Sequence, residues 1–560
     1  MNKYILMIAG MLMGMPAFAD HVTFTSSDLP IIVIQTQKAI NADAKVPGTM
    51  KVIDNGEGQI NHVGDTPTGY DGFVGIKWRG NSSLSFNQKK YTIEMWDEQG
   101  NDTTVALLGM PEEADWVLLA PYNDVSMVRD VFAFHMWNEM GHWGPRTRMC
   151  EVVVNGEYMG VYALCESIKR DKNRVNVNKL KPEDVSGRDL TGGYIVRIDA
   201  YDNEDVTFKS KVKGIQTQQW GWGWGGGSSE ATVTWTIYYP KKADLQEAQK
   251  KYIQSFVDTV ELAIQADNFA DPEEGYAKYI DVGSFVDYFI HTELSLNADG
   301  FKRSSYFYKD KDKKDGTRGK FFAGPVWDFN LAYGNCNFCN ANKVTSWVYE
   351  GCETNPTPVM WKRLLQDKAF CNAVKCRWIE LRKTILSEES IDAFLDSYAA
   401  LLDQAKDRQL KKYKEVLKSS GGGWGWGGGA TIYFAAYQVS SYAEEIATVK
   451  KWFRQRLSFL DKNLPGEAES DGMGQNVQFV RQTKYYDVDM RLRGDLISLV
   501  SPLPLARIDI VDAMGTPLRS QLIGGHHHAS VSLRGLSPGY RILVCYATDG
   551  SMVSHGFLVK

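Results

Sequence analysis

The chain has 560 residues, of which 43% are hydrophobic, 23% charged and 12% aromatic. This composition excludes a mainly disordered or fibrous chain, and the length corresponds to three or four domains of about 150 residues. The 63 basic and 68 acidic side chains leave a net charge of −5, so no global positive field favours nucleic acid or an anionic membrane as a partner, and function must come from local sites.

Residues 1–19 predict a signal peptide. Lys3 precedes an apolar stretch of about 12 residues, and the small-x-small triplet Ala17-Phe18-Ala19 predicts cleavage before Asp20. The apolar stretch is too short to span a bilayer core of about 30 Å, and no other run approaches about 20 apolar residues. We therefore expect no transmembrane segment and an exported protein that is periplasmic, attached to the cell surface or extracellular.

The segment 20–463 predicts an α+β domain with a β-rich front half and a helical back half. Strands are predicted at 31–36, 73–80, 91–96, 149–164, 192–199 and 231–239. A helix over 126–140 interrupts them, because its apolar residues lie on one face and Gly141 follows. Amphipathic helices are predicted at 243–266, 283–296, about 357–385, 388–417 and 433–460.

A second, smaller domain is predicted at the C-terminus. The acidic, glycine-containing segment 464–476 has no apolar periodicity and predicts a linker. Short strands separated by turn residues then predict a small all-β sandwich over 477–560. Its Leu-x-x-Gly-Tyr strand and final strand resemble the sorting domains of type IX secretion cargo; a plain immunoglobulin-like module is the alternative. The triplet His526-His527-His528 is expected in a solvated loop.

The eight cysteines leave several pairings open. The Asn155-Gly156 turn predicts a hairpin in which Cys150 faces Val161. Cys165 then lies about 13 Å along the partner strand, too far for a disulfide with Cys150. A second group could include one or two bridges; its members are Cys336, Cys339, Cys352, Cys371 and Cys376. The Cys336–Cys339 pair is also a zinc candidate, but it lacks a second pair at metal-ligand spacing.

Two glycine-rich tracts share the sequence WGWGGG. They carry Trp222 and Trp224 in one tract and Trp424 and Trp426 in the other. Glycine at this density predicts loops with exposed indole rings. Such rings could stack on sugars or contact a partner surface, and the alternative is that the two tracts pack on each other.

Two carboxylates mark the most informative segment. Asp299 follows the 283–296 helix, and Asp328 follows the strand that ends at Trp327. Carboxylates on the loops of a hairpin can converge, with one accepting a proton and the other holding a divalent cation. This is the layout of a phosphoryl-transfer site, in which a polar residue also follows the catalytic aspartate by five positions; here that residue is Ser304.

Five blocks around these residues, in the same order from about 73 to 335, resemble the CotH kinase family of spore-coat-protein-H-like atypical kinases. The blocks are Arg79-Gly80-Asn81-Ser82-Ser83 with Phe86-Asn87-Gln88-Lys89-Lys90-Tyr91, Arg129 in SMVRD, the run from Asn155 to Glu166, Asn297-Ala298-Asp299, and Trp327-Asp328-Phe329. The resemblance implies a divergent protein-kinase-like fold that uses ATP with Mg²⁺ or Mn²⁺.

The resemblance also implies roles for single residues. Asp299 would be the catalytic base and Asp328 a metal ligand, with Ser304 and Asn330 beside it. Lys89 would contact ATP phosphates and Glu166 would orient it. Arg79 and Arg129 would complete the nucleotide site; the alternative is that they act as structural ion-pair partners. For Glu166 the alternative is a surface residue that ends a strand.

Strand alternation places Lys89 on the face of Tyr91 and turns Lys90 toward solvent. The family pattern commonly has asparagine where this chain has Ser304, and aspartate where it has Asn330. Neutral ligands predict weaker magnesium binding. Two functions therefore stay open: an exported kinase acting on a hydroxyl of a protein or glycan, and a catalytically weak or inactive surface adhesin that binds glycans through the tryptophan tracts.

Overall fold

The computed structural model describes residues 22–56, 58–217, 228–417, 437–468, 488–493, 495–511, 517–548 and 552–559. The predicted signal peptide, both WGWGGG tracts and most of the predicted linker lie outside these residues. Among the helices that are described, none is both long enough and apolar enough to cross a membrane.

The described residues form 22 strands and eight α-helices. The strands are β1 Ser26–Ser27, β2 Ile31–Thr36, β3 Val46–Ile53, β4 Asn61–His62, β5 Tyr70–Arg79, β6 Lys90–Trp96, β7 Val105–Leu107, β8 Met110–Glu113, β9 Asp115–Leu119, β10 Thr147–Val154, β11 Glu157–Glu166, β12 Tyr194–Ile198, β13 Val206–Thr217, β14 Ser228–Tyr239, β15 Ser305–Lys309, β16 Phe321–Ala323, β17 Thr357–Pro358, β18 Asp489–Arg493, β19 Leu496–Val511, β20 Pro517–Ser532, β21 Gly539–Ala547 and β22 Met552–Val559. The helices are α1 Arg129–Glu139, α2 Glu247–Gln265, α3 Val282–Ser295, α4 Met360–Leu364, α5 Lys368–Arg382, α6 Glu388–Leu401, α7 Ala405–Lys412 and α8 Tyr442–Asn463.

The front half is built on a closed barrel with the strand order β10-β11-β9-β6-β5-β3-β2. Neighbouring strands are antiparallel except β10 and β2, whose parallel pairing closes the barrel. The barrel interior is filled by buried side chains such as Ile76, Tyr91, Ile93 and Leu118. Alternate residues of each strand therefore point either into this filled interior or outward.

A second sheet carries the loops of the predicted site. Its order is β16-β15-β12-β14-β13-β17, with antiparallel neighbours. Helix α3 contacts β16 and also α1, α5 and α8, and every residue after Val282 in it is buried. Its N-terminus is capped by Asp281, which accepts a hydrogen bond from the Ser284 N–H. The loop after α3 carries Asp299, and the segment after β16 carries Asp328.

The α+β class and the β-rich front half are confirmed. Strand β3 and the long strand β13 were not predicted. The single helix predicted over 357–385 is wrong, because Asp367 accepts a hydrogen bond from the Ala369 N–H and starts a new helix there. The predicted hairpin register is also wrong: Cys150 faces Tyr162, since a bulge lies between Val152 and Val153.

The C-terminal strands β18 to β22 form one five-stranded antiparallel sheet. The first part of β19 pairs with β18 and the second part with β21, while β20 pairs along both parts. The histidine triplet lies within β20, where Val500 faces His528. The prediction of a loop there is wrong, although all three histidines are exposed as expected.

One disulfide joins Cys339 and Cys352, whose Cα atoms are 5.0 Å apart. This bridge is within the predicted group of cysteines. It contradicts a zinc site at Cys336 and Cys339, because a bridged sulfur is not a thiolate ligand. Cys150 and Cys165 are both free and buried, which confirms that the hairpin holds no disulfide.

Alkylation of the denatured, unreduced protein should modify six thiols and leave Cys339 and Cys352 unmodified until reduction. The double variant Cys339→Ser/Cys352→Ser should lose about 3 kcal/mol in free energy of unfolding, because the bridge restricts a short loop of the unfolded chain. Peptide mass spectrometry and urea titration measure the two effects. Eight reactive thiols before reduction would contradict the pairing.

Candidate active site

The site begins with a lysine on the outer face of the barrel. In β6, Tyr91 points into the filled interior, so Lys90 points outward, in register with Arg79 of β5. Lys90 is only 8% exposed, and its Nζ lies 3.4 Å from Oδ1 of Asp328. The prediction that Lys90 faces solvent is therefore wrong.

Lys89 contacts the turn between β5 and β6 and not Asp328. Its Nζ donates hydrogen bonds to the carbonyl oxygens of Leu84, at 2.7 Å, and Phe86, at 2.6 Å, and lies 5.3 Å from the centre of the Trp78 ring. Burial lowers the pKa of this lysine. Lys89 precedes β6, which begins at Lys90, so strand alternation does not assign it to a face. Lys89 thus fixes the turn between β5 and β6, and it is Lys90 that reaches Asp328.

The loop after α3 is tied to the loop that carries Asp328. The Asn297 side chain accepts a hydrogen bond from the Asp299 N–H at 3.2 Å and donates one to the Asp328 carbonyl oxygen at 3.1 Å. Burial raises the pKa of Asp299, and the negative charges of Asp328 and Asp199 raise it further, whereas Lys302 and Arg303 oppose the shift. One amide side chain therefore joins the backbone at both predicted aspartates.

Asp130, in the first turn of α1, was not predicted. Its Oδ1 accepts a hydrogen bond from the Phe329 N–H at 2.5 Å, and so it supports the backbone at Asp328, where φ is +64°. Burial raises the pKa of Asp130 to about 6; Lys90 lowers it and Asp328 raises it. The only sequence signal was its place beside Arg129 in the SMVRD block.

Asp199, directly after β12, is a second carboxylate that sequence reasoning missed. It accepts a hydrogen bond from the Ser304 N–H, and its pKa is raised by burial and by the charge of Asp328. Arg197 is its cationic partner, at 3.5 Å. Asp199 comes from a segment about 100 residues before Asp299, and no local pattern could connect the two.

Glu166 lies on the opposite face of its strand from the site. It is in register with Trp116, whose side chain is in the barrel interior. The Arg146 guanidinium donates to both carboxylate oxygens, at 2.9 and 2.7 Å, and Arg174 lies 3.7 Å away. Glu166 is fully buried. It therefore neither orients Lys89, as the resemblance implied, nor ends its strand at the surface.

The two predicted arginines differ in their surroundings. Arg129 is 1% exposed and forms ion pairs with Asp124 and, at 2.7 Å, with Glu445 of α8; it also donates to the Tyr437 hydroxyl. Its guanidinium is occupied by structural partners. The Arg79 guanidinium instead lies 5.0 Å above the centre of the Trp327 ring, and within the described ranges no carboxylate forms an ion pair with it.

The predicted neutral ligands lie on the same two loops. Ser304 is buried with φ of +48°, and the Asn330 amide donates to the Asn123 side chain at 3.0 Å. Carboxylate, hydroxyl and amide oxygens are the hard donors that Mg²⁺ and Mn²⁺ prefer. In the part of the chain that is described, only Cys339, Cys352 and Glu353 bring three ligand atoms within 4.8 Å of one another, and that group contains the disulfide.

A comparison with models of protein families matches residues 76–460 to the family described as CotH kinase protein. This match covers more than half of the chain. The chain belongs to the CotH kinase family. The resemblance carried by the five blocks is thereby confirmed, and CotH membership implies ATP-dependent phosphotransfer to an acceptor. A search of curated proteins found no match. Residues 477–560 lie beyond the matched range, so their likeness to sorting domains stays a prediction.

The substitution Arg129→Ala should lower the free energy of unfolding by about 3–5 kcal/mol, because it leaves Asp124 and Glu445 as buried charges without their cation. Arg79→Ala should cost about 1 kcal/mol or less, since it removes a ring contact but no ion pair. Urea unfolding of the two variants measures the contrast. Equal losses would contradict the structural role assigned to Arg129.

His291 of α3 supplies a pH-dependent test of this packing. Its Nε2 lies 2.8 Å from the Ala133 carbonyl oxygen, and burial lowers its pKa to about 4. In the unfolded chain His291 becomes protonated below about pH 6.5, whereas in the folded protein it stays neutral down to about pH 4. The free energy of unfolding should therefore fall as the pH drops from 6.5 to 4.

This loss should reach about 3 kcal/mol over that range in the wild-type protein relative to His291→Gln, whose side chain does not titrate. Urea unfolding at several pH values gives the difference, in which the other titrating groups cancel. Parallel stability curves for the two proteins would show that His291 titrates normally in the folded state.

Proposed function

We propose that this chain is an exported kinase that transfers the γ-phosphoryl group of ATP to a hydroxyl of a protein or glycan, with Mg²⁺ or Mn²⁺. The observation that carries the proposal is the contact of Lys90 with Asp328, whose charge acts on the half-buried Asp299, in a chain of the CotH kinase family. ATP supplies the phosphoryl group, and the metal ion offsets its negative charge.

Asp299 is the proposed general base. A carboxylate can accept the proton of an acceptor hydroxyl only while it is ionised, and its basicity increases as its pKa rises toward the working pH. Burial and the neighbouring carboxylates raise the pKa of Asp299, while Lys302 and Arg303 limit the rise. The environment therefore makes Asp299 a stronger base than an exposed aspartate.

Lys90 and Arg79 are the proposed phosphate-binding cations. They are directly paired across β5 and β6, so both project from the outer face of the barrel. The stacked Arg79 guanidinium retains hydrogen-bond donors for phosphate oxygens. Between the two residues lies a turn that begins at Gly80, where φ is +124° and an added Cβ would lie 2.0 Å from Ser83 Oγ. Lys89 holds this turn in place.

Asp328 is the proposed metal ligand, with Ser304 and Asn330 as neutral ligands. These neutral side chains alone would favour weak metal binding. Asp199 and Asp130 add two carboxylates that interact electrostatically with Asp328. We infer that they supply negative charge that Ser304 and Asn330 lack. The alternative of a catalytically weak or inactive glycan-binding protein rests on the neutral residues Ser304 and Asn330 and on the tryptophan tracts. The tracts lie outside the described residues, and the charges of Asp199 and Asp130 weigh against the first ground.

Substitution of the two adjacent lysines separates their roles. Lys90→Met should reduce kinase activity by about 100-fold or more, as expected when a group that stabilises transferring charge is removed. Lys89→Met removes the hydrogen bonds to Leu84 and Phe86 and the contact with the Trp78 ring, none of which involves Asp328, so activity should fall by about tenfold or less. Initial rates with labelled ATP measure both, with circular dichroism to confirm folding. A larger loss for Lys89→Met would reverse the assignment.

Asp299→Asn should abolish transfer of label from γ-labelled ATP in the presence of Mn²⁺, lowering the rate by about 1000-fold, because an amide cannot accept the proton. Asp267→Asn, at an exposed aspartate outside the site, is the matched control and should keep wild-type activity. Chelation of the metal should stop the reaction in both active proteins. Equal labelling by the wild type and Asp299→Asn would rule out the proposed function.

A further inference from the structure

We propose that a small cavity away from the kinase site binds a monatomic anion of about halide size. The cavity lies where the C-terminal end of α1 and the residues after it meet the segment 174–176 and the end of β16. Its lining includes Trp143, Arg174, Asn176, Tyr308 and Gly324. No carboxylate is among its lining residues.

Two hydrogen-bond donors of this lining have no partner. Nε1 of Trp143 and one terminal guanidinium nitrogen of Arg174, Nη2, are both buried without a hydrogen-bond acceptor. The Arg174 side chain is only 1% exposed. Its other terminal nitrogen, Nη1, donates to Ser167 and to the Asp115 carbonyl oxygen. Each orphaned donor costs about 1–3 kcal/mol unless an acceptor occupies the cavity.

The local charge favours an anion as that acceptor. Arg174 shares Glu166 with Arg146, and Arg146 holds both oxygens of the carboxylate. Two guanidinium groups thus face one carboxylate, which leaves an excess of positive charge beside the cavity. On the other side, His142 and Arg377 pair with Asp287, so that carboxylate has its own partners.

The size of the cavity limits the ligand. Its volume is about 30 Å³, whereas a cavity needs about 10–15 Å³ by this measure to hold one water molecule. This volume corresponds to about two water molecules and is small for a sugar or a nucleotide. A halide ion fits, and it accepts hydrogen bonds from several donors without having to donate any. A water molecule fits as well, but it would have to find acceptors for its own protons.

A bound anion would connect the end of the barrel with the segment that follows β16. Arg174 is anchored to the barrel end through Ser167 and Asp115, whereas Ala323, Gly324 and Pro325 belong to the segment that leads to Asp328. An anion bound by Arg174 and Trp143 would offset the positive charge of the Arg174 guanidinium, which lies where the two parts meet. The expected consequence is a gain in stability of the folded state that saturates with anion concentration.

Thermal unfolding of the full chain in sodium chloride, sodium bromide or sodium gluconate, at equal ionic strength, tests the proposal. Chloride and bromide should give a saturable rise in Tm that gluconate, which is too large for the cavity, does not give. In Trp143→Phe, which keeps the ring but lacks the N–H, this halide-specific rise should fall by at least half. Trp452→Phe, at another buried indole N–H without a partner, should keep it in full.

Bromide-soaked crystals of the wild-type protein provide a second measurement that does not depend on the variants. An anomalous peak within hydrogen-bond distance of Trp143 Nε1 and Arg174 Nη2 is the expected result. An ordered water only, with no anomalous signal, would overturn the proposal. So would a halide-specific rise in Tm that Trp143→Phe leaves unchanged.

Discussion

The candidate site depends on the position of one positive charge. Lys90 projects from the barrel toward Asp328, which follows the second sheet, and it also interacts with Asp130 of α1. Carboxylates placed together in a poorly solvated region repel one another and lose hydration, so they need a cation to remain ionised. Lys90 supplies it from a different part of the fold. Its ion pair therefore links the barrel to the helical half at the point where we propose that phosphate and metal bind.

Buried polar networks between α3, α8 and the loop 344–349 fix the loops around this charge. Glu293 of α3 accepts hydrogen bonds from the N–H groups of Val348 and Tyr349, and Arg456 of α8 donates to the carbonyl oxygens of Val344 and Ser346 while contacting Glu293. The loop 344–349 is thereby fixed against α3, and Val348 lies close to Gly300, next to Asp299. A catalytic group held in this way needs little reorganisation when substrate binds.

Local patterns were enough to predict the α+β class, the hairpin and the loops that carry Asp299 and Asp328. They were not enough to choose between Lys89 and Lys90. Strand alternation shows which residues share a face, but only the closure of the barrel determines which face is interior. The role of Glu166 came from the family resemblance alone, which does not reveal its arginine partners. Asp130 and Asp199 escaped prediction because they reach the site from distant segments, where no spacing relates them to Asp299. Arg129 matched a family block, yet its burial and its partners in α8 depend on tertiary packing.

The central claim is that nucleotide phosphates bind at Lys90, on the outer face of the barrel. An acyl-phosphate derivative of ATP, which acylates a lysine amine lying beside the bound phosphates, tests this directly when the modified peptide is located by mass spectrometry. The account predicts an adduct on Lys90 that excess ATP with Mn²⁺ prevents. An adduct confined to Lys89, or labelling of Lys90 that ATP does not reduce, would contradict it.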